Sequence, residues 1–248
     1  MTAILQTRLR FAPWMHPATR RLPGVQPLNW ADWLQWDEAS AAQIAEKQRL
    51  MRDFRDSVTA VRPEARPALA ETREVVGAWL DRHRPEHTVA AGEPVEALAS
   101  TIPEDFALLQ KSEAGWVLSA GLVGFPASWS LAEKMGRPMG AIHDPVRPYT
   151  SDMARRVDRL FDGLHPDRPV WRANALLYHA PDLFQPNRRT GHGDSPGYLR
   201  SERQSLLKLP RTGAVVFSIH TTVVPITALT PDQAHGLKAS PIVHAGGG

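Results

Sequence analysis

The sequence predicts an α+β protein whose helices come early in the chain and whose strands come late. Three observations carry that reading. Two stretches after about Asp37 repeat apolar residues at helical spacing; Asp105 to Gln110 and Trp116 to Phe125 are short, β-prone runs joined by a turn; and Val170 to Tyr178, Tyr198 to Leu209 and Ala214 to Val224 have strand length and strand composition. With 248 residues, 42% of them hydrophobic, the chain can bury a substantial core. The expected organisation is an extended arm over 1–36, one domain over 37–238 and a disordered tail over 239–248.

The arm mixes Pro13, Pro17, Pro23 and Pro27 with Trp14, Trp30, Trp33 and Trp36, too rigid and too aromatic a mixture for disorder, so it should be pinned onto the domain. In the first helix Ile44, Met51, Phe54 and Val58 supply the apolar stripe, and Glu46, Lys47, Arg49 and Arg52 the wet side. Pro67 opens a second helix with Leu69, Val76, Trp79 and Leu80 inward, and His83, Arg84 and Pro85 mark its end. Glu96 to Ser100 reads as a helical turn, and the hairpin follows it. Ser130 stands three residues before Glu133, the spacing of a capping box, and Gly136 and Pro138 stop that helix after about two turns.

The chain then presents His143 and Asp144 on a loop stiffened by Pro145 and Pro148. Ser151 caps a helix with Met153, Val157, Leu160, Phe161 and Leu164 along one side. Alternation along Val170 to Tyr178 puts Arg172, Asn174 and Leu176 on one face and Trp171, Ala173 and Leu177 on the other. Pro181 to Gly197 is a long loop without apolar periodicity. Along Tyr198 to Leu209, Arg200, Glu202, Gln204 and Leu206 share a face opposite Ser201, Arg203, Ser205 and Leu207. Finally Thr230, Pro231 and Gln233 read as cap, first-turn proline and capping partner of a short helix.

Composition excludes several chemistries. Without cysteine the chain carries no disulfide, zinc-thiolate site, iron-sulfur cluster or thiolate-ligated haem of its own. Its ten histidines are scattered and form no HExxH, and no GxSxG, P-loop or GxGxxG is present. A net charge of +3 is spread over both signs, which gives no nucleic-acid face, and no apolar run is long enough for a signal peptide or a membrane span. A cytoplasmic location is the expectation. The residues alone single out His143, the pair Arg172 and Asn174, and the cluster Tyr198, Arg200, Glu202 and Arg203, for which ion pairing on a sheet face is an equally good account.

The succession PLNWADWLQWD, EDFALLQ, GWVLSAGLVGFPASWSLAEKMGRPMGAIHDPVRPY, WRANALLY with PDLFQP, and YLRSERQSLLKLPRTGAVVFSIHT resembles the α-subunit-like family of haem-dependent oxidative N-demethylases. The resemblance runs from about Pro27 to Pro225. It implies a PAS-like antiparallel sheet with flanking helices and an N-terminal helical extension, holding haem b. It further implies oxygen-dependent demethylation of a small secondary amine such as dimethylamine, giving methylamine and formaldehyde, with electrons from NADPH through flavin and iron-sulfur partner subunits. In that frame His143 is the axial iron ligand, Arg172 and Arg203 are candidates to pair with propionates beside Asn174, and for the methylated ammonium substrate Glu202 is base or counter-ion and Tyr198 hydrogen-bond partner. Two positions depart from the family pattern: Gly124, where a cysteine is expected, and Ala175, where a tryptophan is expected. The alternative is a PAS-like haem or small-ligand sensor without turnover.

Overall fold

The computed structural model describes residues 3–20, 24–139, 142, 151–187 and 196–242. Its centre is a seven-stranded antiparallel sheet in the order β1-β5-β6-β7-β3-β4-β2, formed by β1 (Gln26–Pro27), β2 (Thr59–Val61), β3 (Asp105–Ser112), β4 (Gly115–Leu122), β5 (Val170–Tyr178), β6 (Tyr198–Lys208) and β7 (Val215–Pro225). The α+β class is therefore correct, and a PAS-like label is compatible with the sheet. The hairpin is β3 and β4, closed by Gly115 at a φ of +99°. The two outermost strands, β1 and β2, were not anticipated from the sequence; each is too short to show alternation.

Helices cover both faces, because the strands carry apolar residues in both directions. On one face Phe106, Leu108, Leu122 and Val216 pack under Leu50 of the Ser40–Asp53 helix, Leu69, Val76 and Trp79 of the Arg66–His83 helix, and Val95 and Leu98 of the Pro94–Ala99 helix. On the other face Ala107, Leu109, Trp116, Leu118 and Leu206 pack under Leu131, Phe161 and Leu164. Phe161 belongs to the Ser151–Asp162 helix, and Ile142 joins the same cluster. Near the N-terminus Gln6 exchanges hydrogen bonds with Val223 of β7, through its backbone at 2.9 Å and its side chain at 2.8 Å.

The first helix corrects the sequence reading. Its buried side is Gln43, Lys47, Leu50 and Met51, so Lys47 belongs to the interior. Phe54, read as apolar stripe, is 45% exposed and breaks the helix at φ −141° and ψ 34° before the Arg55–Val58 turn resumes. Lys47 is tolerated inside because its ammonium donates to the carbonyls of Ile102 at 2.5 Å and Glu104 at 2.6 Å. The Leu131–Lys134 helix is a single turn, shorter than expected, and Ser130 at its start forms no side-chain cap. By contrast Thr230 and Gln233 form the complete capping box of the Pro231–Ala239 helix.

Candidate functional site

Strands β5 and β6 bring the polar candidates together. Their register pairs Arg172 with Gln204, Asn174 with Glu202, Leu176 with Arg200 and Tyr178 with Tyr198. Alternation then places Arg172, Asn174, Arg200, Glu202 and Gln204 on one face of the sheet. This is the face covered by the Ser151–Asp162 helix and by Ile142. Glu202 is the hub: its carboxylate accepts from Gln204 Nε2 at 3.0 Å and from Asn174 Nδ2 at 3.4 Å, and lies 3.3 Å from the Arg200 guanidinium.

Arg200 is held as firmly as its partner. It is 2% exposed, donates to the carbonyls of Leu183 at 3.0 Å and Phe125, and lies 5.8 Å from the centre of the Tyr178 ring. The Phe125 carbonyl is itself fixed, since the carboxylate of Asp105 accepts the backbone N–H of Gly124 at 3.0 Å and of Phe125 at 2.7 Å. Burial lifts that carboxyl to about 6, against the pull of Lys47, the two amides and Arg200. So a chain of polar contacts runs from Lys47 around the end of the sheet to Glu202.

Arg172 differs from Arg200. Burial draws its pKa down, with the Glu202 charge opposing, and its Nε is buried without a hydrogen-bond partner. Arg200 Nε is buried and unpartnered as well. Buried polar groups are normally satisfied, and two orphans on neighbouring strands mark a place where an outside acceptor fits. The donor set suits an acidic group: two buried guanidinium ions face one carboxylate.

Arg203 projects from β6 to the opposite face. Its guanidinium stacks 4.6 Å from the Trp171 ring and donates to Ser205 Oγ at 3.3 Å. It therefore does not share a pocket with Arg172. Tyr198 lies at the start of β6, partly buried beside the helix-rich core, while Tyr178 is the tyrosine against Arg200. His143 and Asp144 lie outside the described residues, as do Pro145 and Pro148 and residues 188–195 of the long loop. Among the described residues no group of His, Asp and Glu is arranged to hold a metal ion.

Tyr178 and Gln204 were not assigned roles from the sequence. Each sits at the correct parity on its own strand, yet only the strand register shows that the two rows are adjacent. Two surface grooves, of about 480 Å³ beside Trp36 and Arg84 and about 360 Å³ beside Trp116 and Lys208, are lined by other residues. No helix among the described residues is long and apolar enough to cross a membrane.

The described residues thus form an α+β fold with one antiparallel sheet and a buried, partly unsatisfied arginine and carboxylate cluster on one sheet face. Residues 82–242 match the family model described as haem-dependent oxidative N-demethylase, alpha subunit-like. The match spans well over half of the chain, which belongs to that family.

Proposed function

We propose that this chain is the haem-bearing component of an oxidative N-demethylase acting on a small secondary amine. The observation that carries the reading is the cluster on β5 and β6, where Glu202 is held by Asn174, Arg200 and Gln204 while Arg172 keeps an unpartnered Nε. Haem b, when bound, supplies oxygen activation with electrons from NADPH delivered through separate flavin and iron-sulfur subunits. Arg172 would pair with a propionate, and His143 would hold the iron.

Glu202 acts on the amine. A methylated ammonium must lose its proton before its nitrogen can assist oxidation at the methyl group. Glu202 accepts that proton. Arg200 and Gln204 keep its carboxylate oriented, and the low exposure of the cluster keeps competing water away. Dimethylamine, dioxygen, a pair of electrons and a pair of protons then yield methylamine, formaldehyde and water.

The test is formaldehyde release from the haem-loaded chain with dimethylamine, NADPH and a reductase. Parent protein should release formaldehyde in an amine-dependent way, and Glu202→Gln should lower kcat by about 100-fold or more, in line with loss of a positioned base. His143→Ala should abolish or shift the Soret band. Haem-loaded parent that stays silent with every partner supplied points to a sensor instead.

A further inference from the structure

Ile142 immediately precedes His143 in the chain, and its own position is fixed in three ways. Its side chain is 9% exposed and packs in the cluster of Leu131, Phe161 and Leu164. Its N–H donates to the Pro138 carbonyl at 3.1 Å. Its carbonyl accepts from Lys134 Nζ at 3.2 Å.

The supports of these bonds lead back to the sheet. Gly136 N–H donates to the Leu118 carbonyl of β4 at 2.9 Å, Leu118 N–H donates to the Arg137 carbonyl at 3.3 Å, and Val117 is bridged to Pro138. The short segment after the Leu131–Lys134 helix therefore runs beside β4 and offers the Pro138 carbonyl from a fixed place. Lys134 is partly buried, and its ammonium stands 4.9 Å from the centre of the Trp129 ring. Burial draws its pKa down, with the Glu133 charge opposing. Withdrawing an ammonium from water is unfavourable, and a lysine this close to the surface has the length to avoid it. Here the ammonium is directed at one carbonyl instead.

That carbonyl has a particular place in the chain. A peptide group is planar, so the Ile142 C=O and the bond that leads into His143 turn together. We propose that Lys134 is a positioning residue for the haem site: by holding the Ile142 carbonyl it sets the course of the chain into His143, and so the hold of that histidine on iron. Trp129 keeps the ammonium in place. The inference rests on the reading of His143 as iron ligand. Residues that orient a metal ligand without touching the metal change metal affinity by about 10- to 100-fold when they are replaced.

The experiment is hemin titration of the full chain, read as affinity and as Soret position, for the parent, Lys134→Met, Lys134→Arg, His143→Ala and the double variant Lys134→Met with His143→Ala. Lys134→Met should bind hemin about tenfold more weakly and move the Soret band toward its position in His143→Ala. Lys134→Arg, which keeps a cationic donor on a long stem, should recover most of that loss. The double variant should bind no more weakly than His143→Ala alone, because Lys134 acts through that histidine. Lys134→Met that matches the parent, or a loss that adds in full to that of His143→Ala, overturns the proposal. His143→Ala with the affinity and Soret band of the parent removes the ligand reading itself, and this proposal with it.

Discussion

At the scale of single residues, the buried Lys47 explains what Gly124 is for. A Cβ built at Gly124 would stand 2.9 Å from Cγ of Lys47, so the glycine is the space through which the lysine side chain passes. Burial draws the Lys47 pKa down to about 8, with the Asp105 and Glu104 carboxylates opposing. Gly124→Ala should therefore lower stability by about 1 to 3 kcal/mol, measured by denaturant unfolding. Lys47→Met should cost roughly 3 kcal/mol, because it leaves the buried Ile102 and Glu104 carbonyls unsatisfied. Neither relation is legible in the sequence. A lysine in an amphipathic helix is assigned to solvent by default, and only packing against the β3 entry reveals the carbonyls that receive it.

At the scale of elements, the strands were the most readable part of the chain. Alternation along Val170 to Tyr178 and Tyr198 to Lys208 placed Arg172 with Asn174 and Glu202 with Gln204 on common faces, as the structure finds. It also put Arg203 on the face away from Glu202, and the separation of Arg203 from Arg172 follows once the register is known. The capping box at Thr230 was equally direct, since its spacing is its geometry: Gln233 N–H donates to Thr230 Oγ1 at 3.2 Å and the return bond is 3.1 Å. Thr230→Ala should cost about 1 kcal/mol in a thermal melt. Helix ends were less legible, because Phe54 and Ser130 take conformations dictated by neighbouring elements, and β1 and β2 exist only through pairing with β5 and β4.

At the scale of the whole molecule, a buried ionic centre ties the start of the domain to the sheet, and Gln6 of the arm donates to its Asp37 at 3.0 Å. His220 of β7 is 6% exposed, with Nε2 3.2 Å from Asp37 and Nδ1 3.3 Å from Glu104. Burial opposes its charge, but the bonds and charges of Asp37 and Glu104 prevail and lift it to about 9. Burial likewise opposes ionisation of Asp37, yet the bond to His220 with those of Gln6 and Ala39 brings it down to about 2. Because the histidine pKa is higher in the folded state than its ordinary 6.5, the stabilisation is complete below pH 6.5 and is lost as pH rises through 9. The melting temperature should fall across that window by an amount reflecting at most about 3 kcal/mol. In His220→Gln that fall should be largely absent. The Asp37 carboxylate works in the other direction, its share vanishing as pH drops from its ordinary 3.8 through about 2.

The same sheet that anchors the arm on one face presents Arg172, Arg200 and Glu202 on the other, and the account turns on what that second face holds. Hemin titration of the purified chain, followed at the Soret band for the parent and for Arg172→Leu, tests this most directly. The parent should take up hemin to a single saturating equivalence with a shifted Soret band, and Arg172→Leu should bind at least tenfold more weakly without loss of fold. A parent that stays colourless with excess hemin, or a variant that binds as tightly as the parent, would contradict it.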